Sequence, residues 1–236
     1  PGLLDLRNKL FWYTDQQRLK TRGAGATRIA RVPTPAQAAA IADPTARALF
    51  QQYQIPTADS GQITTAAPNR TDFWQYAVRG DVNLTSRDTI WVRYSQADSV
   101  TASSGNTFIG TNLPGFGANS QGKPRQATAA HTHIFGTSAV NEFRFGFGQS
   151  DAGFPIDTPY PLGARITFQD GSVNSFGVWE GLPQGREQKT FQFTDNFSFV
   201  RGRHNIKLGG EYYYLQADSV FDAVARPLLA FPNFAE

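Results

Sequence analysis

The sequence of 236 residues contains no cysteine and no methionine, and it has no long uninterrupted run of apolar residues. The lack of cysteine excludes disulfides, thiol nucleophiles and thiolate metal ligands. No segment approaches the ~18 consecutive apolar residues of a transmembrane helix, so we expect the chain to meet a membrane only through strands. Because it begins at Pro1 without an initiator methionine or signal peptide, we expect an internal fragment of a longer protein.

Charge is also scarce, at 17% of residues against the roughly one quarter of an ordinary soluble domain. The 22 basic and 19 acidic residues nearly balance and form no basic stripe. Nucleic-acid binding is therefore not expected. A hydrophobic content of 40% with a mean hydropathy of -0.39 is modest for a large soluble core, yet aromatic residues reach 13%.

Those aromatic residues alternate with polar ones at a period of two, which is typical of strands with two unlike faces. The clearest example is the segment from Phe191 to Phe199, where phenylalanines alternate with glutamine, threonine, asparagine and serine. The same pattern predicts seven strands, near residues 10–20, 73–84, 89–96, 126–135, 140–149, 188–200 and 204–216.

The connections between these strands alternate in length. Long loops are predicted for 22–70, 99–125 and 151–186, and short turns for 85–88, 136–139 and 201–204. Strands of about ten residues with short turns at one end and long loops at the other are typical of outer-membrane barrels. We therefore predict an all-β, antiparallel, up-and-down transmembrane β-barrel segment with long extracellular loops. Two short helices are expected in the first loop, starting near Thr34 and Asp43.

The two faces of the strands have different expected environments, since a barrel wall separates lipid from its lumen. The lipid-facing candidates are Tyr76, Val78, Ile90, Val92, Tyr94, Phe143, Phe145, Phe147, Phe191, Phe193, Ile206, Leu208 and Tyr212. The lumen-facing candidates are Arg79, Asp81, Arg93, His131, His133, Glu142, Arg144, Lys207 and Glu211. Asp195 is an exception, because it shares the parity of the phenylalanines beside it.

Two short turns lead to hypotheses about register. Three loop residues at 86–88 would place Asp81 opposite Arg93. A two-residue turn at 137–138 would place His133 opposite Glu142. The apolar side of the strand before this turn would then consist of Ala130, Thr132 and Ile134.

His131 and His133 are two residues apart on one strand, so both imidazoles lie on one face, as a zinc site requires. The sequence shows no third ligand, and we predict polar lumen residues and no metal site. Cofactors are not expected either. Catalysis is not expected, because there is no nucleophile elbow and no metal-ligand signature.

Three phrases within the strands and short turns carry a family resemblance: RGDVNLTSRDTIWVRYS, THIFGTSAVNEFRFGFG and FTDNFSFVRGRHNIKLGGEYYY. They resemble the barrel of TonB-dependent outer-membrane receptors, in particular the Oar-like group that carries a carboxypeptidase-regulatory-like domain. The earlier phrases KLFWYTDQQRLKTR and VPTPAQ are similar to those that precede them in that group. The resemblance covers most of residues 8–216.

The resemblance implies a barrel of the 22-stranded transporter type in the cell outer membrane of a Gram-negative bacterium. It implies contact with lipid and lipopolysaccharide, a solute or nutrient ligand bound by the extracellular loops, and coupling to the TonB complex through a plug domain. Neither a plug nor an N-terminal regulatory domain is recognisable within 1–236, so the seven strands would be about a third of such a barrel.

Two other classes remain open from the residues alone. The strand pattern also permits a passive porin or an adhesin-like outer-membrane barrel. A secreted β-sandwich that binds glycans would also alternate apolar and polar faces, with tryptophans as stacking platforms. The sandwich would bury its aromatic rows against a second sheet, whereas a barrel would leave them exposed on its outer surface.

Overall fold

The computed structural model describes residues 7–103 and 113–234, and most of these form antiparallel sheet. The elements are β1 (Leu10–Arg31), α1 (Pro35–Ala39), α2 (Pro44–Gln52), β2 (Gln62–Asn83), β3 (Asp88–Ser103), β4 (Gly117–Gly122), β5 (Arg125–Phe135), β6 (Ala139–Phe154), β7 (Ile156–Asp157), β8 (Arg165–Phe168), β9 (Gln184–Arg201), β10 (His204–Val220) and β11 (Leu228–Phe231). Residues 104–112 of the predicted loop 99–125 lie outside the described part of the chain.

The main sheet has nine strands that follow the chain in an up-and-down order, from β1 at one edge to β10 at the other. β4 and β5 occupy one position in this order, because the register against β3 continues across Pro124. β7 continues β6 in the same way across Pro155. Proline lacks the N–H that a ladder bond needs, so each proline interrupts a strand without shifting its pairing.

The strands extend far beyond the predicted bounds. β1 and β2 each have 22 residues, and their pairing extends into the predicted loop 22–70 from both sides, as far as Arg31 and Gln62. β3, β6, β9 and β10 are also longer than expected, so the predicted loop 151–186 begins inside a strand. The additional segments are rich in threonine, glycine and charged residues. Backbone pairing continues there without apolar alternation, which is why the pattern missed them.

The first register hypothesis is wrong, because the turn lies one residue earlier in the chain than predicted. Asp81 lies opposite Trp91, and Arg93 lies opposite Arg79. The loop occupies 85–87, because the Thr85 hydroxyl accepts hydrogen bonds from the backbone N–H groups of residues 87 and 88, each at 3.0 Å. This side-chain turn makes residue 88 the first residue of β3.

The second register hypothesis is also wrong, because the turn between β5 and β6 has three residues. Phe135 pairs with Ala139, and Gly136 adopts the left-handed φ of 62° that such loops favour. His133 therefore faces Asn141 and not Glu142. A shift of one residue exchanges the two faces of a strand. The residues opposite Arg144, Glu142 and Val140 are consequently Ala130, Thr132 and Ile134, which lie on the polar face.

The register divides the sheet into an apolar face and a polar face. All of the lipid-facing candidates share the apolar face, which carries Val92 and Phe193. The lumen-facing candidates share the polar face except His131 and His133, whose predicted placement is wrong. Their strand is displaced by the three-residue turn, so His131 pairs with Phe143 on the apolar face.

No second layer of sheet covers the apolar face in the described part of the chain. Val92 is 50% exposed, Leu208 61% and Tyr212 62%. A sandwich would have buried these side chains, so the structure excludes the glycan-binding sandwich. Rows of aromatic rings instead cross neighbouring strands, with Phe145 and Phe193 at a centroid distance of 5.1 Å.

The apolar face ends in a polar row on the side away from the short turns. The last apolar row includes Tyr94, Phe147 and Tyr214. The next row consists of Gln96, Arg125, Gln149, Lys189 and Gln216. From Ile206 to Tyr214 the apolar band measures about 26 Å along the strand at ~3.3 Å per residue. These nine residues fall within the ~9–11 that a tilted strand needs to cross a bilayer, and tyrosines lie at the border of the band.

Beyond the polar row, the long connections fold together into what we call the cap, defined as residues 32–61, 113–118, 155–183 and 221–234. Asn174 is tied to the end of β1 by two hydrogen bonds with the backbone of Arg31, at 2.6 and 2.9 Å. β8 and β11 pair in parallel, which attaches the segment after β10 to the same unit. Much of the predicted loop at 151–186 is therefore an ordered part of the cap, and so is the segment 221–234 that follows β10.

A tight backbone contact at Gly177 holds the cap together. Its φ is 89°, and an added Cβ would lie 2.6 Å from the carbonyl oxygen of Ala164 and 2.9 Å from Cα of Arg165. We expect Gly177→Ala to destabilise the cap by about 1–3 kcal/mol through backbone strain and overpacking. Limited proteolysis should then cleave the cap faster while the barrel stays resistant. Gly23→Ala is the control, since nothing lies within 4 Å of its added Cβ. Equal cleavage of both variants would contradict this prediction.

The cap contains two short helices, of 5 and 9 residues. No helix in the described ranges has the length and apolar content needed to cross a membrane.

Candidate functional site

The helices of the cap begin where the sequence predicted. Thr34 caps α1 in a capping box, with its hydroxyl accepting from the N–H of Gln37 at 3.2 Å. Asp43 caps α2 by accepting from the N–H of Ala46 at 2.7 Å. A proline follows each capping residue, and its missing N–H is not needed in the first turn. The helices expected in the first loop are thus confirmed.

These helices and the β8–β11 pair enclose a cavity of about 600 Å³, within the usual size range of small-molecule sites. Its wall is formed by Gln37, Ala40, Ile41, Ala42, Asp43, Thr45, Ala46, Leu49, Phe50, Ile166, Phe168, Phe176, Leu229, Phe231 and Phe234. Asp43 is the one charged residue of this wall, and its carboxylate already caps α2. The cavity is therefore chemically suited to an apolar group.

Tyr53 lies beneath this cavity and is 2% exposed. Its ring packs edge-on against Phe116 and Phe176, with centroids 5.6 and 5.9 Å away. Its hydroxyl donates to the carbonyl oxygen of Ala164 at 2.9 Å. Burial raises the pKa of this hydroxyl, and the positive charge of Arg226 opposes that shift. One side chain thus joins three segments that are distant in sequence and supports the cavity from below.

An ion pair links the outer part of the cap. Arg165 Nη1 lies 2.6 Å from Glu180 Oε2, and both side chains are largely buried. Arg226 also donates to the carbonyl oxygen of Leu182, which is fully buried. These contacts hold the two sides of the 155–183 segment against the segment that follows β10.

On the polar face of the sheet the structure brings several predicted residues into pairs. Arg79 Nη2 lies 2.7 Å from Asp81 Oδ1, and its guanidinium stacks 4.4 Å above the ring of Trp91. Glu142 and Arg144 form a second pair at 2.7 Å. Each pair lies within one strand, two residues apart, so these charges neutralise each other along the polar face.

On the apolar face the two misplaced histidines meet an acidic residue that the sequence did not associate with them. Asp88 Oδ1 lies 3.1 Å from His131 Nε2 and 2.6 Å from His133 Nδ1. Asp88 pairs with His133 across β3 and β5. It can do so because the turn occupies 85–87, which makes Asp88 the first residue of β3. The sequence did signal the pair of histidines, but the third residue required the correct register.

Asp195, the other exception on this face, also has a partner. Its carboxylate accepts a hydrogen bond of 2.8 Å from the Asn141 side-chain amide. It pairs with Phe143, one row from Asn141, and with Gly210 in the middle of the apolar band. The hydrogen bond from Asn141 offsets part of the cost of placing this carboxylate within the apolar band.

Sequence reasoning missed the cap as a folded unit. Its interior is formed by hydrophobic residues that are scattered over all the long connections, such as Val32, Leu113 and Ile166. The loops were assigned from their prolines and glycines, and only the helix caps indicated local order. The density of aromatic residues within the predicted loops was the signal that could have revealed it.

The comparison with protein families agrees with this architecture. The model of the outer membrane beta barrel domain family matches residues 37–235, which is most of the chain. No curated protein matches the sequence significantly. No solved structure matches it significantly either. With the long antiparallel strands and the exposed apolar band, this match shows that the chain belongs to the outer membrane beta barrel domain family and lies in the bacterial outer membrane.

Proposed function

We propose that this chain is part of the barrel of a TonB-dependent receptor that takes up a scarce solute without catalysing a reaction. The observation that carries the proposal is the cap, which presents a cavity of about 600 Å³ above the barrel wall. A pore for unselective diffusion has no need of a folded binding unit. The resemblance of three strand phrases to the Oar-like receptors supports the same function.

The proposed orientation places the cap outside the cell and the short turns in the periplasm, as in other outer-membrane barrels. The apolar face then contacts lipid, and the polar row with Arg125 and Lys189 lies at the level of lipopolysaccharide phosphates. The polar face lines the lumen. Energy would come from the TonB complex through a plug domain, which none of the described residues forms.

Selectivity in this proposal resides in the cap, because loops carry recognition while the barrel supplies a rigid frame. The cavity wall combines residues 37–50 with residues from both sides of the β8–β11 pair. Its phenylalanines favour a solute that inserts an apolar group, whether the solute is an iron chelate, a cobalamin, a glycan derivative or a peptide.

Filling the cavity tests this assignment. Ala46→Trp places an indole at the wall, so we expect it to weaken solute uptake at least tenfold, or roughly 1.4 kcal/mol. Ala39→Trp is the matched control, because Ala39 is exposed on α1 and outside the cavity wall. Uptake would be measured in cells that produce the full-length protein, with a ferric hydroxamate, cobalamin, a maltooligosaccharide and an oligopeptide as probes.

The same cells distinguish active from passive transport. A TonB-dependent receptor should lose uptake when a protonophore collapses the proton gradient, and the purified protein should show no steady ion conductance in planar bilayers. Uptake that survives the protonophore, together with stable conductance steps, would identify a passive porin and reject the proposal.

A further inference from the structure

We propose that Asp88, His131 and His133 form a binding site for a late first-row divalent metal, with zinc as the representative ion. Their ligand atoms, one carboxylate oxygen and two imidazole nitrogens, all lie within 4.8 Å of one another. Two imidazoles and one carboxylate are a common ligand set for zinc, with a solvent molecule in the fourth position. Imidazole ligands also disfavour magnesium and calcium, which prefer oxygen.

The distances suit an ion placed among the three ligand atoms. Bonds of about 2.0–2.2 Å in a tetrahedral site separate neighbouring ligand atoms by roughly 3.3 Å. His131 Nε2 and His133 Nδ1 lie 3.1 and 2.6 Å from Asp88 Oδ1, so small side-chain rotations would bring the three atoms to this spacing. The ring centroids of the two histidines are 6.3 Å apart, so both can turn toward one centre.

The backbone prepares this arrangement. His131 and His133 are two residues apart on β5, which puts both side chains on one face, and Asp88 lies opposite His133 on β3. The second carboxylate oxygen of Asp88 accepts a hydrogen bond of 2.6 Å from the Thr85 hydroxyl. Such an outer hydrogen bond orients a carboxylate and leaves its other oxygen available for a metal.

The location is compatible with access from solution. The three side chains are between 24% and 45% exposed, and Asp88 directly follows the short turn at 85–87. Asn141 and Asp195 extend the polar surface beside them. An ion here would clamp β3 to β5 beside the short turn at 85–87.

The alternative is that the histidines simply hydrogen-bond to Asp88 without an ion, and zinc binding separates the two. The chain has three histidines, and His204 lies at the start of β10 as an internal control. We expect the full-length protein, purified in detergent, to bind zinc in competition with a chromophoric chelator. His131→Gln, His133→Ala and Asp88→Asn should each weaken this binding at least about tenfold, whereas His204→Ala should not.

Two further measurements exclude misfolding as the cause of any lost zinc binding. The mobility shift on heating in electrophoresis confirms that each variant forms a barrel, and zinc should raise the unfolding temperature of the unaltered protein but not of the Asp88→Asn variant. Cobalt substitution should give the visible absorption of a four-coordinate site. Equal zinc affinity in all folded variants, or no zinc binding by the unaltered protein, would overturn the proposal.

Discussion

Val92→Arg is expected to destabilise the intact barrel by about 2–4 kcal/mol, the cost of an arginine facing hydrocarbon near the middle of the bilayer. Val92 lies on the apolar face, two rows from its end at Gln96, and its side chain is half exposed with no covering layer. In lipid its neighbours would be acyl chains, which cannot solvate a guanidinium. Folding into lipid vesicles, followed by urea titration, measures the difference.

Ser95→Arg is the matched control on the same strand. Ser95 lies opposite Ala77 on the polar face, so an arginine there would point into the lumen and should cost much less. The pair changes only the face of the sheet and keeps the introduced residue constant. Similar losses of stability for both variants would show that the two faces do not differ in environment.

Tyr53→Ala is expected to unfold the cap, at a cost of about 3–5 kcal/mol, because removing a buried aromatic ring leaves a cavity. The ring packs against Phe116, Tyr160 and Phe176, so its removal takes away the centre of this aromatic cluster. Proteolysis should therefore remove the cap quickly, and uptake should fall with it. The barrel should keep its resistance to SDS at room temperature.

Tyr53→Phe separates packing from hydrogen bonding. It keeps the ring and loses only the bond from the hydroxyl to Ala164, which is worth about 1 kcal/mol. We expect a cap that resists protease nearly as well as the unaltered one. If Tyr53→Ala left the cap intact, the cap would not depend on this core, and its role as a folded binding unit would be in doubt.

The membrane part of the fold could largely be predicted from the sequence, because one face of the sheet has apolar surroundings and the other has polar surroundings. Alternation from Phe191 to Phe199 and from Ile206 to Tyr214 indicates the paired strands β9 and β10 directly. Outside the apolar band this constraint disappears. Backbone pairing continues there, for example between Gly23 and Asn69, and it leaves little trace in the choice of side chains.

The candidate sites depend on information that local patterns do not contain. One extra loop residue at Gly136 decided whether two histidines lay on the polar or the apolar face, since strand parity changes with each residue. The cavity of the cap requires contacts between α2 and β8, more than a hundred residues apart. The helix caps at Thr34 and Asp43 could be predicted because their chemistry is confined to four residues.

The length of the β1–β2 hairpin determines how far the two helices extend from the membrane. From Tyr76, at the border of the apolar band, β2 continues to Gln62, about 46 Å along the strand at ~3.3 Å per residue. A tilt of roughly 40° leaves about 35 Å of height. In the proposed orientation this extension holds α1 and α2 far above the lipid surface, where large molecules outside the cell would meet them before the membrane.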